Sequence, residues 1–364
     1  MNKAALTIGT RTGSLLDLLL TVRDRILEGG SITRQEALAL AEATAVEVPY
    51  LAAVANEIRL RMAGNTVESC ALSNIKSGAC TEDCKFCSQS GHYRTESPVY
   101  PMIGVEEIVA QAKAAEKMGA TEFCMVQSGW GATNEKDFET VLEAVRRISS
   151  ETRLFVDCSL GFLTPEQVVK LKEAGLYRNN HNLEASKGYF EKICTTHTHE
   201  QRASHVEMVR HYGVHPCSGG ILGMGETVEQ RIDLAFELAA LQADCVPVNI
   251  LNPRQGTPLG GVTALQPMEI IKYIAIFRLI LPKSTIKLAG GREINLRDLQ
   301  AMAMQAGANG LILGNYLTTM GRNPEADIRM LKDLGYDVLT PDEVRAAKAD
   351  QTGCGTQGTP CGCR

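Results

Sequence analysis

The chain has 364 residues, with 37 Lys and Arg against 42 Asp and Glu and a net charge of −5. At ~150 residues per domain the length suggests about two domains, although α/β barrels run past ~250 residues as one. No basic tail or patch is visible for nucleic acid or an anionic membrane, and no apolar run approaches the ~18 residues of a membrane span. Hydrophobic residues at 44% and charged residues at 22% are those of a soluble globular protein with a core. The longest Leu cluster, Leu15 to Val22, is short and flanked by charge. Twelve cysteines stand against one tryptophan. The N-terminus lacks the charged, apolar and small-residue succession of a signal peptide, so disulfides are a poor explanation for these thiols. Metal or redox chemistry in a reducing, cytoplasmic compartment is expected instead.

The first ~60 residues read as helical. In GGSITRQEALALAEA, Thr33 followed by Glu36 three residues later forms a capping box. VPYLAAVANEIRLRMAG continues with helical apolar spacing, so residues 1–62 form a helical lead-in rather than a separate domain. From about Val67, strand-like segments alternate with stretches of helical length. The strand candidates are ESCALSNI, EFCMVQSG, RLFVDCSLG, LYRNNHNL, HPCSGGILG, CVPVNIL, TIKLAG and GLILGNY. Helix candidates lie between them. Val105–Met118 puts Val105, Ile108, Val109 and Ala112 on one face. Thr164-Pro165-Glu166-Gln167 is a capping box with Pro at the first helical position. TVEQRIDLAFELAAL and NLRDLQAMAMQAG read similarly. Eight βα units predict an α/β fold of the (β/α)8 TIM type over residues 63–340. A doubly wound open sheet is the alternative, but no G-x-G-x-x-G follows the first strand. From residue 341 to 364 the chain becomes Gly/Thr/Cys-rich without apolar periodicity, and a flexible tail is expected.

The strongest chemical signal is Cys80-x3-Cys84-x2-Cys87, in SGACTEDCKFCSQS. Structural zinc wants four ligands and is usually served by two separated pairs. Three cysteines fit a [4Fe–4S] cluster with one iron left open for a chelating ligand. The loop follows the first predicted strand, which places it at the barrel mouth where active sites sit. A zinc knuckle or chance clustering is the plainer alternative.

This motif, with aromatic Phe86 before the last cysteine, resembles the radical S-adenosylmethionine superfamily. NIKSGACTEDCKFCSQS, FCMVQSGWG, NNHNLEAS, CSGGILGMGET, VPVNILNPRQGTPL and AGGREIN resemble, in order and at close to its spacing, the biotin synthase family within it. The resemblance runs from about residue 40 to 340. It implies that the open iron chelates S-adenosylmethionine and that one electron, from a flavodoxin- or ferredoxin-type donor, yields a 5′-deoxyadenosyl radical. That radical would abstract hydrogen from dethiobiotin, and a second, auxiliary iron–sulfur cluster would give the sulfur. Acid–base catalysis cannot break such C–H bonds, so the protein's task is to position and shield. The family is usually a homodimer.

The resemblance also carries over residue by residue. Cys124, Cys217 and Arg292 match two cysteines and the arginine at the auxiliary cluster. Aligned on its Leu-Gly, DCSLG puts Asp157 at the remaining cysteine's position, with Cys158 one residue late. In a strand that shift turns the side chain to the opposite face unless the strand is bulged. A non-standard auxiliary cluster, [2Fe–2S] or larger, is therefore expected, with Cys158 as an uncertain ligand. Asn180 and Asn182 match asparagines that contact the substrate, Asn182 also reaching the S-adenosylmethionine ribose; an amide suits a ureido ring that both donates and accepts. Without the resemblance they would read as an Asx turn. Glu184 stands where many members have Asp, at the ribose hydroxyls. Phe86, Arg202 and Ile221, the last within Gly219–Glu226, fall near the cosubstrate. Asn249 matches a substrate-binding asparagine. Asn179 replaces a common tyrosine.

Cys70, Cys194 and Cys245 read as buried or incidental thiols. Six of the seven histidines fall between His181 and His215 and share no metal-ligand spacing. A solvated helix face explains most of them, His181 within the Asn motif excepted. Cys354, Cys361 and Cys363 form a C-x6-C-G-C tail outside the family pattern, a candidate acceptor of iron or sulfur or dock for a sulfur-delivery protein. Related barrels, such as a hydrogenase-cofactor maturase or a methylornithine-forming mutase, lack the Cys124/Cys217/Arg292 set. A non-catalytic iron–sulfur or zinc carrier would need no Asn motifs.

Overall fold

The computed structural model describes residues 11–340, 342, 343 and 346. The C-x6-C-G-C segment lies outside them. Three helices lead in: α1 (Arg11–Leu27), α2 (Arg34–Ala41) and α3 (Val48–Met62). The Thr33–Glu36 capping box forms reciprocally at the start of α2. Then follow β1 (Thr66–Lys76), α4 (Val105–Lys117), β2 (Glu122–Gln127), α5 (Glu135–Glu151), β3 (Phe155–Ser159), α6 (Pro165–Glu173) and β4 (Leu176–Asn180). Next come α7 (Lys187–Phe190), α8 (His199–His211), β5 (His215–Cys217), β6 (Gly220–Leu222), α9 (Val228–Ala240) and β7 (Cys245–Ile250). The chain continues through α10 (Pro267–Ile280), β8 (Thr285–Leu288), α11 (Arg292–Leu296), α12 (Gln300–Gln305), β9 (Gly310–Leu313), α13 (Pro324–Asp333) and β10 (Asp337–Val338).

Every strand pairing is parallel, and β9 returns to pair with β1. The sheet therefore closes into a (β/α)8 barrel, each stave coinciding with one of the eight strand candidates, β1 running two residues further at its start and one at its end. The fifth candidate, HPCSGGILG, divides into β5 and β6, both paired to β7. The break sits at Gly219, where a Cβ would lie 2.0 Å from the Pro247 carbonyl oxygen. Only a residue without a side chain lets the two backbones approach so closely.

Helix α10 is apolar nearly all round, with Ile270, Ile271, Ile274 and Phe277 buried. A helix of that kind needs cover on both sides. Its inner face meets the barrel and its outer face meets α1–α3, which is why the helical lead-in packs as part of the same core. NLRDLQAMAMQAG does not form one helix: Arg297, at φ +52°, divides it between α11 and α12. Among the described residues no helix is long and apolar enough to cross a membrane.

Candidate active site

Side chains alternate inward and outward along each stave. Inward positions line a cavity of about 310 Å³ open at the C-terminal ends of the strands. The loop after β1 crosses this mouth. Gly78 (φ +72°) and Ala79 (φ +48°) turn the chain, and a Cβ on Gly78 would sit 2.6 Å from Val99 Cγ2. The Gln89 side-chain carbonyl fixes the loop base by accepting from Gly78 N (3.2 Å) and Ser77 Oγ (3.0 Å). Cys80, Cys84 and Cys87 thereby face one cavity, with Phe86 beside them. Three thiols converging from one loop fit a cluster with three protein-bound irons.

Facing this loop, the segment after β4 carries Asn180, Asn182 and Glu184. Asn182 Oδ1 accepts from Gly219 N at 3.1 Å, and Asn180 Nδ2 reaches Cys217 Sγ at 3.2 Å. Glu184 adopts φ +67°, a left-handed conformation rare for a side chain of this type. Its backbone is braced at both ends, its N–H donating to Gly219 O (3.1 Å) and its carbonyl accepting from Ile221 N (2.8 Å). Strain held this way is concentrated at functional sites. Burial raises the Glu184 carboxyl above its ordinary value, and nearby Arg202 opposes the rise. Arg202 Nη1 donates to Asn182 O at 2.8 Å. Asn249, inward on β7, accepts from Gly290 N at 2.9 Å. Ile221 and Asn249, register partners, line an adjoining cavity with Phe86 and Cys87.

The cavity floor departs from the expected ligand set. Cys124 and Cys217 line it, and so does Asp157, two strand positions below Ser159. Cys158 does not. It is fully buried among the apolar side chains between sheet and helices: the β2–β3 register runs unbroken through Asp157 and Cys158, and the shift against β4 between Val156 and Asp157 leaves Asp157, not Cys158, facing the cavity. Arg292 does not reach the floor either. Strand β8 ends at Leu288, Gly291 (φ +82°) turns the chain, and Arg292 begins α11. There its guanidinium is fully buried on Asp327 and donates to Ile312 O at 3.1 Å. The inward cation on β8 is Lys287.

Three further groups occupy this level. Cys70, inward on β1, lines the floor rather than lying inert in the core, and its thiol lies within 4.8 Å of carboxylate oxygens of Glu122 and Asp157. Cys245 on β7 is buried and is the register partner of Cys217 on the neighbouring stave. Asp157 Oδ1 is buried without a partner, and burial with the neighbouring Glu122 charge pushes this carboxyl up to about 7. Below them, Arg178 bridges Glu68 (2.9 Å) and Glu122, while Lys287 pairs with Glu122. The two-residue period of ESCAL and TIKLAG was the signal for Cys70 and Lys287, since both share parity with cavity-lining neighbours Leu72 and Ala289.

Three histidines depart from the expected solvated face: His197, His199 and His205 are buried, as is His181, which the Asn motif sets apart from that face. His197 lines the cavity, with Nδ1 2.6 Å from Glu82 Oε2 and Nε2 accepting from Arg202 Nε at 2.9 Å. Cys194 lies behind the loop, 3.8 Å from Cys84 Sγ.

The radical SAM superfamily profile matches residues 74–238, and that of the Biotin and Thiamin Synthesis associated domain matches residues 247–337. The biotin synthase of Picosynechococcus sp. is 49% identical over 317 residues, covering 85% of this chain and 86% of that protein. The biotin synthase of Carboxydothermus hydrogenoformans is 44% identical over 325 residues, covering 89% of this chain and 100% of that one. Among solved structures, methylornithine synthase (PylB) superposes with a TM-score of 0.78 at 20% identity, over 89% of this chain and 99% of that one. The FeFe-hydrogenase maturase HydG from Carboxydothermus hydrogenoformans gives 0.72 at 18%, over 90% and 85%. At such identities these two show a shared fold.

Proposed function

The chain belongs to the biotin synthase family of radical S-adenosylmethionine enzymes, and we propose that it inserts sulfur into dethiobiotin to form biotin. The observation that carries this reading is one cavity with two tiers of thiols. Cys80, Cys84 and Cys87 stand at the mouth, Cys70, Cys124 and Cys217 at the floor, and Asn180, Asn182 and Asn249 between them.

Cys80, Cys84 and Cys87 would hold a [4Fe–4S] cluster. When bound, that group supplies the electron that cleaves S-adenosylmethionine, fed by a flavodoxin- or ferredoxin-type protein. The chain's own residues do the rest. Glu184 offers a carboxylate for ribose hydroxyls, and Arg202 holds the Asn182 carbonyl, so the amide faces inward. Asn180, Asn182 and Asn249 provide donors and acceptors on three sides for a ureido ring. Phe162 and Val126 help wall the space from water, which protects a reactive carbon radical from side reactions.

The floor fits a thiolate-rich auxiliary cluster on Cys70, Cys124 and Cys217, with Cys245, the register partner of Cys217, as a fourth thiol. This set replaces the one containing Cys158 and Arg292. Lys287 and Arg178 supply the positive charge that thiolates at this depth require. Cys354, Cys361 and Cys363 would accept iron or sulfur for its renewal.

The test is anaerobic incubation of the reconstituted enzyme with reductant, S-adenosylmethionine and dethiobiotin. Biotin and 5′-deoxyadenosine are the expected products. Formation of 5′-deoxyadenosine that is indifferent to dethiobiotin, with no biotin, would overturn the substrate assignment.

A further inference from the structure

Behind the cysteine loop lie ligating atoms of Cys194, His197 and Asp83 that the proposed reaction does not use, next to one, Cys84 Sγ, that it does. Cys194 follows α7 and is buried. Its Sγ lies 3.8 Å from Cys84 Sγ, 3.5 Å from His197 Nδ1, 3.6 Å from His197 Nε2 and 3.3 Å from Asp83 Oδ1. Ligating atoms of Cys84, Cys194 and His197 all fall within 4.8 Å of one another, and all three residues are buried.

These spacings have a specific meaning. Tetrahedral zinc, with Zn–S of about 2.3 Å and Zn–N of about 2.0 Å, sets ligand–ligand edges of about 3.8 Å between two sulfurs and about 3.5 Å between sulfur and nitrogen. The sulfur–sulfur edge is met as it stands, whereas Cys194 Sγ lies nearly equidistant from the two ring nitrogens, so His197 must turn about its side-chain bonds to aim Nε2 at an ion shared with the sulfurs. Outer contacts agree. Glu82 Oε2 accepts from His197 at Nδ1 (2.6 Å), the carboxylate–imidazole arrangement that orients the other ring nitrogen toward a metal. Asp83 is held by Thr195 N at 2.8 Å, which keeps Oδ1 near the Cys194 sulfur. One contact must yield: Arg202 Nε donates to His197 Nε2 at 2.9 Å, and it would swing away while Nη1 stays on Asn182 O. Cys84 and His197 both line the cavity, so an ion has a path in.

We propose that Cys84, Cys194 and His197, with Asp83 as fourth donor, form a mononuclear site for a thiophilic divalent cation, Zn²⁺ or Fe²⁺, in the chain that carries no [4Fe–4S] cluster. Binding is ligand exchange without redox change. Two thiol protons leave to solvent, the cation gives up water, and two metal–sulfur, one metal–nitrogen and one metal–oxygen bond form. Because the site takes Cys84, cation and cluster exclude one another. That exclusion rests on Cys84 being a cluster ligand; cation binding itself does not.

The experiment titrates Co²⁺ anaerobically into the reduced, cluster-free full-length chain and follows the charge-transfer and d–d absorption of tetrahedral thiolate-bound cobalt. The tightest site should vanish in Cys194→Ser and Cys84→Ser. It should weaken at least about tenfold in His197→Gln, which also stands in if Cys194→Ser fails to fold. It should persist in Cys80→Ser and in the Cys354→Ser/Cys361→Ser/Cys363→Ser chain. Loss in Cys80→Ser with survival in Cys194→Ser would place the ion on the loop alone, and loss in the tail variant would place it on the tail; either result overturns the site. In a second arm, Zn²⁺ should slow cluster assembly in the wild type and not in Cys194→Ser. A wild type that assembles no cluster at all would count against the cluster assignment while leaving the cobalt result standing.

Discussion

Replacing Cys158 with alanine separates a ligand on β3 from a packing residue. Cys158 is fully buried in the apolar layer outside the barrel, whereas its neighbour Asp157 lines the cavity. Removing the sulfur deletes about one methylene equivalent of burial, ~0.8 kcal/mol. The hole left, roughly 25 Å³ at about 24 cal/mol per Å³, adds ~0.6 kcal/mol. Over 364 residues at about 2.1 cal/mol/K each, the combined loss lowers the melting temperature by only ~2 °C. Iron and acid-labile sulfide, counted after anaerobic reconstitution, should match the wild type. Cys124→Ala, one stave away and inward, should instead lose the auxiliary complement and keep the loop cluster. If Cys158→Ala retains only the loop cluster's iron, the inward–outward assignment of β3 is wrong.

Lys287→Met removes one of two cations from a buried layer that also holds Glu68, Glu122 and Arg178, and should cost about 3–5 kcal/mol in urea denaturation. A loss below ~1 kcal/mol would mean that Arg178 alone satisfies Glu122. Arg292→Leu leaves fully buried Asp327 with Arg322 as its remaining cation, at 3.1 Å, and should destabilise by less than losing both partners would, about 2–3 kcal/mol, while auxiliary iron stays unchanged; loss of that iron would return Arg292 to the ligand set. His205 is held down to about 4 by burial and by Arg202. Between pH ~6.5 and about 4 the unfolded chain therefore binds a proton that the folded chain refuses. Stability should be complete above pH ~6.5 and fall as the pH drops, by roughly 3 kcal/mol in all. His205→Asn should flatten that slope in acid-titrated denaturation curves, and an unaltered slope would show that other groups carry it.

What the sequence revealed follows from which interactions are local. The eight staves are legible because apolar alternation and β-branched content are properties of short windows, and Thr33–Glu36 and Thr164–Gln167 because a capping box needs only four residues. The Asp157–Cys158 register was readable in principle, since a one-residue step reverses the face. Whether a bulge rescued Cys158 was not, because a bulge is set by the partner strand. Arg292 misled for a different reason. Its motif is legible, but its depth depends on Gly291 turning the chain out of β8, and Lys287, two positions before Ala289, held the inward place. Buried His199 and His205 were missed because α8 shows little amphipathic order, and His197 because it lies in the loop before it. His205 is covered by Phe162 and His181, whose loops converge only in the closed barrel.

Depth in this barrel is counted in steps of two residues, and the steps sort the chemistry by layer. On β1 the inward series is Glu68, Cys70, Leu72; on β2 it is Glu122, Cys124, Val126; on β4 it runs from Arg178 to Asn180. Ions lie lowest, thiols next, and amides or apolar groups nearest the mouth. The lowest layer holds two carboxylates and two cations and is neutral by itself. Thiolates held on a metal above it would add negative charge to a dry region, and both cations lie close enough to be stabilised by them. The thiol tier can therefore hold anionic ligands because the layer beneath is cross-paired, not singly paired. Shortening either cation should weaken metal retention at Cys70, Cys124 and Cys217 before it disturbs the cysteine loop at the mouth.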